Sequence, residues 1–549
     1  MAVDMKKTRK YIFVVGGVMS GVGKGIASAS IGRILRSRGL IVTALKIDPY
    51  INVDAGTMNP TEHGEVFVLE NGLETDQDMG NYERFLDITV PAINYMTTGS
   101  VYLDVIKKER NLEYKGKNVE VVPDIPLEVI RRIETAAEVA DADVTITEIG
   151  GTVGEYQNIL FLEAARMMKS KRPQDVAVIL VSYLPVPGSI GEMKTKPTQY
   201  AARTLNSAGV FADFIIARSS VAIDEKRKQK ISLFCNVPPE RVIAAPDVKS
   251  IYDVPLNFEK DKLGENLCTM LDLQCKKPDF SQWENFVRKA RNAKTEVRIA
   301  VVGKYFDTGD FTLSDSYISV IEALKFSSYA LGVKPVIEFI HAKKFEKDTK
   351  ALQALKEYDG ILVPGGFGET GIEGKLRVIE YARTHGIPYF GLCYGMQLAV
   401  VEYARNVLKL KGANTVEIDA RSPHPIIDIM PDQKEKIAQG DYGGTMRLGS
   451  YPCLLQKKSV AQKAYGKDEI VERHRHRYEV NPLYIEDLKK AGLVFSGTSP
   501  DGTLMEIAEL PQTKHPFFLG TQFHPEFLAR PLSPHPLFTA FIAAAKKKK

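Results

Sequence analysis

The sequence predicts an α/β protein made of two parallel-sheet domains. Three observations carry this. Short β-branched and aromatic runs end in glycines, as in "YIFVVGG" and "IPYFG". Such strands alternate with stretches of helical periodicity, a pattern that builds a parallel sheet covered on both faces. The alternation lapses once, at "CKKPDFSQWENFVRKARNAK", and then restarts. The lapse sets a first domain at 1–274, a linker containing a short helix at 275–296, and a second domain at 297–549.

Tyr11 to Val15 form the first strand, and a helix starts at Lys24 with Ile26, Ile31, Ile34 and Leu35 on one face. Gly39 ends that helix as a C-terminal cap. "IVTALKI", "DVTITEI" and "VAVILVSYL" supply further strands of the first domain. "VRIAVVGKY", "DGILVPGGFG" and "IPYFGLCYGMQ" begin the second.

Composition narrows the function class. The 549 residues carry 73 basic and 68 acidic side chains, a net charge of +5, too small and too dispersed to indicate a nucleic-acid partner. The terminal run Lys546 to Lys549 reads as a solvated, disordered tail. Five scattered cysteines argue against a disulfide framework or zinc cluster and fit a reducing cytoplasm. No apolar run approaches a membrane span, and the basic N-terminus leads into a strand, not a signal peptide.

"GGVMSGVGKG", Gly16 to Gly25, resembles a phosphate-holding loop but breaks the strict pattern. Val18 stands five positions before Gly23, and Gly25 after Lys24 offers no hydroxyl to a metal ion. Asp78 in "ETDQDMGNYERF" and Glu148, at a strand's end in "TEIGGTVGE", are acidic substitutes for that hydroxyl. Magnesium takes one or two carboxylates together with phosphate oxygens and water. "GEMKTKPTQY" carries Lys194 and Lys196 and suits a second triphosphate cradle. Each stretch alone is more simply a solvated loop.

In the second domain, Cys393 lies between the strand "IPYFG" and a helix, with Gly391 and Gly395 around it. A strand, tight turn and helix present the central side chain outward, and the helix N-terminus favours a thiolate. "QFHPEF" offers His524 as base and Glu526 as its orienter, and "PGGFG" offers backbone donors for an oxyanion. A lone cysteine in a glycine turn is most often structural; the set in this order is specific. His474 and His476 in "ERHRHRYEV" alternate as metal ligands can, but no carboxylate or cysteine set nearby in sequence completes a metal sphere. A polar strand is the simpler reading.

The Gly-Gly-Phe-Gly loop, the Gly-x-Cys-x-Gly-x-Gln elbow and the late His-Pro-Glu resemble the class I glutamine amidotransferase domain. The resemblance implies a Cys393–His524–Glu526 triad that hydrolyses glutamine to glutamate and ammonia. It assigns glutamine contacts to Gly366, Gly368, Tyr394, Gln397, Glu417 and Arg477, with Tyr394 where the family usually has leucine.

"KIDPYIN", "HGEVFV", "NYERF", "EIGGTVGE", "KTKPTQ", "LFCNV" and "GGTMRLG", with these motifs, make the whole chain resemble the CTP synthase family. That resemblance implies a P-loop, dethiobiotin-synthetase-like amidoligase domain followed by a class I glutaminase domain. It implies amination of UTP to CTP with ATP and glutamine, through 4-phospho-UTP. ATP contacts fall on Ser20, Gly21, Val22, Gly23, Lys24, Gly25, Ile26, Lys46 and Asp78, and magnesium on Asp78 and Glu148. The UTP and CTP site falls on Ser20, Glu155, Tyr156, Gln157, Lys194, Thr195, Lys196, Pro197, Thr198, Gln199 and Lys230. His63 matches the gate of an ammonia passage. GTP as allosteric activator, a homotetramer arranged as a dimer of dimers, filaments and a cytoplasmic location also follow from the resemblance.

The match departs at three places. Thr370 replaces the arginine of the lid linked with GTP, so weakened or altered activation is expected. Glu155-Tyr156-Gln157 replaces Asp-Ile-Glu, which bears on feedback by CTP. Pro123-Asp124 replaces Pro-His. The rival readings are another two-domain amidoligase, such as a cobyrinic acid amide synthase, and a non-catalytic filament-forming homologue. "KTKPTQ" and "KIDPYINVD" argue against the first; the retained Lys24, Asp78, Glu148, Cys393, His524 and Glu526 argue against the second.

Overall fold

The computed structural model describes residues 7–59, 63–188, 191–304, 307–308, 311–312, 314–347, 349–366, 368, 371–429 and 446–548. They form two compact units, one from Met1–Ala55 and Asp78–Gln282, the other from Gly56–Gln77 and Trp283–Lys549.

The first unit is built on a seven-stranded sheet. Its strands are β1 (Lys10–Gly17), β2 (Val42–Asp48), β3 (Tyr95–Thr97), β4 (Val144–Ile149), β5 (Val176–Tyr183), β6 (Phe214–Ser219) and β7 (Val242–Pro246). Their order is β3-β2-β4-β1-β5-β6-β7, and every pairing is parallel. β1, β2 and β4 are buried throughout, as their continuous apolar runs require. Helix α1 (Lys24–Ser37) follows β1, and Gly39 just beyond it has φ +84°, the left-handed conformation of a C-terminal glycine stop. Strand order reverses on either side of β1, so the loop between β1 and α1 lies where open α/β sheets bind ligands.

One expectation is corrected in this unit. Cys268 and Cys275 form a disulfide with their Cα atoms 6.3 Å apart, while Cys235, Cys393 and Cys453 are free. The helix Leu263–Met270 stops and the chain turns back, which brings together two cysteines whose spacing matches no short motif. Asp124, one of the departures from the family pattern, accepts a 2.8 Å hydrogen bond from the Glu120 amide and so holds the entry to the helix Val121–Val139.

The second unit carries a nine-stranded sheet. Its strands are β8 (Glu296–Gly303), β9 (Lys334–His341), β10 (Gly360–Val363), β11 (Tyr389–Leu392), β12 (Arg447–Leu455), β13 (Glu469–His476), β14 (Val494–Thr498), β15 (Met505–Glu509) and β16 (Phe518–Thr521). The order is β9-β8-β10-β11-β16-β15-β14-β12-β13. The half from β9 to β16 is parallel, and the half from β16 to β13 is antiparallel. The sequence predicted the parallel strands and a polar strand at β13, but not the antiparallel half, because helices Val460–Tyr465 and Pro482–Lys490 also alternate with its strands and alternation does not report pairing direction.

The stretch expected as linker holds the helix Ser281–Asn292, whose Trp283, Phe286 and Val287 are buried. Phe286 packs 5.9 Å from Phe326, so this helix is an anchored part of the second unit. The lysine run is likewise not a free tail: Lys546 and Lys547 lie in the helix Pro536–Lys547, and Lys548 donates to the Tyr358 carbonyl at 2.6 Å. Lys549 lies outside the described residues.

Residues 56–77, placed by the sequence reading in the first domain, pack with the second unit. Their hairpin, Phe67–Val68 against Glu74–Thr75, is held by side chains from β13 and beyond. Glu65 accepts from the Ser319 amide at 3.1 Å, and Arg475 donates to Glu74 at 2.7 Å. Arg473 donates to the Val68 carbonyl at 3.1 Å. Phe67 is fully buried, edge-on to Phe527 at 5.1 Å. Phe67→Ala should cost about 3–5 kcal/mol of stability in this unit, the usual range for a buried phenylalanine. A urea melt checks this; a midpoint equal to wild type would show that the hairpin is not anchored there.

Candidate functional site

Helix α2 (Tyr394–Asn406) starts directly after β11, and Cys393 at its N-cap has φ 49° and ψ −98°. A non-glycine residue at positive φ is strained, and here the strain turns the thiol off the end of the strand. A Cβ on Gly395 would sit 2.2 Å from the Val363 carbonyl oxygen, and one on Gly391 would sit 2.6 Å from the Gly395 carbonyl carbon. Both glycines are therefore demanded by close backbone approach. Cys393 donates its amide to the Thr521 carbonyl at 2.6 Å, tying the elbow to β16.

β16 continues into the segment bearing His524 and Glu526. The His524 amide donates to the Arg473 carbonyl at 2.8 Å, and His524 Nδ1 lies 2.7 Å from Glu526 Oε1. The imidazole stacks on Phe527 with ring centroids 5.2 Å apart. Its Nε2 has no hydrogen-bond partner among the described residues. Burial works to lower the His524 pKa, but the Glu526 carboxylate and the Cys393 sulfur outweigh it and raise the group to about 10. The structure thus brings together Cys393, His524 and Glu526 in a cavity of about 280 Å³ that also touches Gly365, Gly366, Arg477, Glu65 and Met58.

Around this cavity Glu417 accepts from the Gly368 amide at 2.7 Å, and Tyr394 donates its hydroxyl to the Gly368 carbonyl at 3.4 Å. Burial raises the Glu417 pKa against the pull of Gly368, Lys304 and Arg477. Gln397 donates to the Tyr478 carbonyl at 2.9 Å. His474 and His476 face inward, with His474 Nε2 2.8 Å from Glu506. Both histidines lie on β13 (Glu469–His476), where the sequence reading expected a polar strand.

In the first unit, Lys46 is shared by three carboxylates. It pairs closely with Asp78, lies 2.9 Å from Glu148 and lies 3.8 Å from Asp48. Tyr82 donates to Glu148. Burial raises the Asp78 carboxyl, but the Lys46 ammonium overrides it and holds it below the usual range. For Glu148 burial wins over Lys46, and its pKa is raised. Burial also lowers Lys24, which donates to the Gly151 carbonyl at 2.8 Å. A surplus of carboxylate beside a phosphate-type loop fits a divalent cation held by Asp78 and Glu148. Gly25 answers the missing hydroxyl: a Cβ there would fall 2.0 Å from Asp78 Oδ1. The carboxylate occupies the space a serine or threonine would need.

Gly23, with φ +91°, is the N-cap of α1 and has no side-chain cap, so the first-turn amides are open to an anion, with Ser20 and Gly21 exposed and Val22 and Ile26 alongside. A cavity of about 400 Å³ adjoins Gly23, Ile26 and Ala27, walled by Arg218, Pro246, Val248 and Phe258. The sequence reading missed it. Its one available signal was that Arg218 and Pro246 stand at the carboxyl ends of β6 and β7.

The residues matched to the pyrimidine site split in two. Thr195, Thr198 and Gln199 are buried, with Thr198 hydrogen-bonded to Ser182 at 2.8 Å and Gln199 to Thr195 at 3.1 Å. Gln157, Lys196 and Lys230 are exposed, Pro197 is half-buried, and Tyr156 is 94% exposed. Lys194 pairs with Glu192 at 2.6 Å. Glu155 accepts from the Thr152 amide at 2.9 Å. His63 is exposed, and its amide donates to the Asn59 carbonyl at 3.2 Å. Thr370 lies outside the described residues.

Residues 10–273 match the family described as CTP synthase N-terminus, and residues 312–544 match the class-I glutamine amidotransferase family. The chain is 50% identical over 542 residues to the CTP synthase of Thermococcus gammatolerans, covering 98% of this chain and 99% of that one. It is 48% identical over 540 residues to the CTP synthase of Geobacillus kaustophilus, covering 98% of this chain and 100% of that one. Among solved structures, the glutaminase domain of Trypanosoma brucei CTPS with bound acivicin is 40% identical, covers 46% of this chain and 95% of that chain, and gives a TM-score of 0.42.

Because the His524 pKa is raised, the stability its pairing contributes is fully present below the unfolded value near 6.5 and lost as pH climbs through about 10. Glu526→Gln removes the main opposing charge and should bring the imidazole to or below its ordinary value. Glutamine turnover should fall roughly 10²–10⁴-fold, the usual contribution of a positioned acid–base group. An imidazole NMR titration reads the shift; an unmoved titration would take Glu526 out of the pairing.

Proposed function

The chain belongs to the CTP synthase family, and we propose that its two units divide one reaction, glutamine hydrolysis in one and nucleotide amination in the other. The protein is a glutamine-hydrolysing ligase that converts UTP to CTP with ATP as co-substrate. For the assignment of residues, the observation that carries most is the Cys393 elbow facing the His524–Glu526 pair. The domain assignment proposed is an amidoligase at 1–274 and a glutaminase at 297–549, with 56–77 and, from the 275–296 connector, the helix Ser281–Asn292 belonging with the second unit.

In the glutaminase, Cys393 passes its proton to His524 Nε2 and attacks the side-chain amide carbon of glutamine. The C–N bond breaks, and His524 returns the proton to the departing nitrogen, giving ammonia and a glutamyl thioester. His524 then takes a proton from water, which cleaves the thioester to glutamate and frees the thiol. The Tyr394 amide at the start of α2 and the Gly365–Gly366 turn are placed to face the oxyanion. Glu417 and Arg477 suit the amino and carboxylate groups of glutamine, with Gly366, Gly368 and Gln397 around them.

In the amidoligase, ATP phosphorylates O4 of the uracil ring and ammonia displaces phosphate at C4. Ammonia must travel internally, with His63 as gate, because it is protonated in neutral water and then is no nucleophile. Lys24 and the amides of 20–26 suit the ATP phosphates, and Lys46 suits the transferred phosphoryl group. The cavity beside Arg218 suits the adenine base. Asp78 and Glu148 would hold magnesium, which neutralises charge on the phosphates. Glu155 to Gln157, Lys194 to Gln199 and Lys230 make up the pyrimidine nucleotide site, with Ser20 shared.

A homotetramer and its filaments are part of this reading. Tyr156 at 94%, Leu233 at 78% and Phe234 at 57% exposure support it, being large apolar side chains beside the pyrimidine residues. GTP as activator and a cytoplasmic location complete the proposal, with Thr370 expected to weaken the GTP response.

CTP formation from UTP, ATP and magnesium tests the reading, with glutamine or ammonium as donor and with or without GTP. Cys393→Ala should abolish glutamine-dependent synthesis and keep synthesis from ammonium; loss of both would undercut the division of labour. Gly25→Ala should do the converse, losing synthesis from either donor by at least tenfold while glutamine hydrolysis persists, because Asp78 must move. Wild-type synthesis rates in Gly25→Ala would remove Asp78 from the phosphoryl site.

A further inference from the structure

Gln522 lies between β16 and His524, is fully buried, and has no part in the glutaminase steps above. Its side-chain Nε2 lies 3.6 Å from Cys393 Sγ, as donor to the sulfur. Its Oε1 accepts from Gln397 Nε2 at 3.2 Å. Gln397 Nε2 also donates to the Tyr478 carbonyl at 2.9 Å.

These contacts form a directed relay. A backbone carbonyl cannot donate, so Tyr478 fixes which end of the Gln397 carboxamide faces it. The Gln397 amino group then faces Gln522 and requires the Gln522 oxygen on that side. The opposite orientation would set two amino groups against each other. The Gln522 N–H is therefore left to point at the sulfur. The other polar neighbours of that sulfur differ in kind. The thiol donates to the Arg475 carbonyl at 3.8 Å, a contact that disfavours ionisation because a carbonyl oxygen repels a thiolate. His524 receives the proton. Gln522 is thus the neutral donor that remains on the sulfur after the proton has gone.

We propose that Gln522 stabilises and aims the Cys393 thiolate through an N–H···S hydrogen bond, and that Gln397 acts as the positioning residue that orients it. The inference rests on Cys393 being the nucleophile. The charged groups around the sulfur are His524, Glu526, Arg475, Arg477 and Glu65, and none of them is a neutral donor hydrogen-bonded to the sulfur as Gln522 is. Gln397 matches a family glutamine-binding position; here its amino group is committed to the relay.

The test is the pH dependence of Cys393 alkylation by iodoacetamide on the full chain without glutamine, with the modified residue identified by mass spectrometry. Cys235 and Cys453 are buried with raised pKa values, which separates them from the reactive thiol. Gln522→Met removes the donor at similar volume and should raise the alkylation midpoint by about one pH unit, a tenfold change in thiolate fraction. Gln522→Glu should raise it further, because a carboxylate then faces the thiolate. Gln397→Met never touches the sulfur and should raise the midpoint by less. In steady state, Gln522→Met should lower kcat for glutamine roughly tenfold with KM within twofold. Should Gln522→Met not fold, as judged by its thermal midpoint, Gln397→Met carries the test alone. Midpoints equal to wild type in the folded variants overturn the relay while leaving Cys393 as nucleophile. A wild-type Cys393 that resists alkylation at every pH overturns the nucleophile assignment and the relay with it.

Discussion

The close approach of backbone at the carboxyl ends of parallel strands is the constraint on which both sites depend. At the elbow, α2 runs so near β10 that any side chain on Gly395 would strike the Val363 carbonyl. That contact forces Cys393 into the left-handed region and aims its sulfur at the segment after β16. In the first unit the same economy of space appears at Gly25, where a carboxylate takes the place of a side chain. Each stands where a helix begins after a buried strand, a position on regular structure that suits precise placement of a reacting atom.

Buried charge is handled in opposite ways in the two units. Removing one partner from a buried ion pair costs about 3–5 kcal/mol, so such groups persist only when partnered. His524 is matched one to one with Glu526, and the match, with the Cys393 sulfur, outweighs burial, so the imidazole holds well the proton it takes from Cys393 and passes to a leaving nitrogen. Lys46 is matched to more than one carboxylate, and for Glu148 burial, with the neighbouring Asp78 charge, outweighs the shared ammonium and keeps its pKa raised. The first arrangement is complete and suits proton transfer. The second is short of positive charge and suits a cation and a phosphate arriving together.

The segment 56–77 belongs to the second unit although the sequence places it within the first. It leaves the first unit after β2, contributes Met58 and Glu65 to the cavity over Cys393, and returns at Asp78, a residue of the other site. Glu65, Phe67 and Glu74 each meet a different partner from the second unit's fold, so the hairpin is held at three points. One chain excursion thereby supplies a wall of the thiol cavity and ends on a carboxylate of the phosphoryl-type site.

Much of this was written in the order of residues. β1, α1, β2, β4 and β5 fall within a residue or two of the runs that announced them, and the turns at Cys393 and Lys24 were visible in their glycines. These features follow from rules that act over a few residues: apolar periodicity, β-branching, the steric freedom of glycine and the N-terminus of a helix. What the sequence did not announce was which distant residues meet. Gln522 beside the sulfur, Arg218 over a cavity, the antiparallel half of the second sheet and the transfer of 56–77 all depend on strand order and on the path of the chain between strands. The sequence by itself determined the elements, the elbow and the chemistry each could offer. Only the tertiary structure chose their partners, because burial and close packing act between residues hundreds of positions apart, where no local pattern reaches.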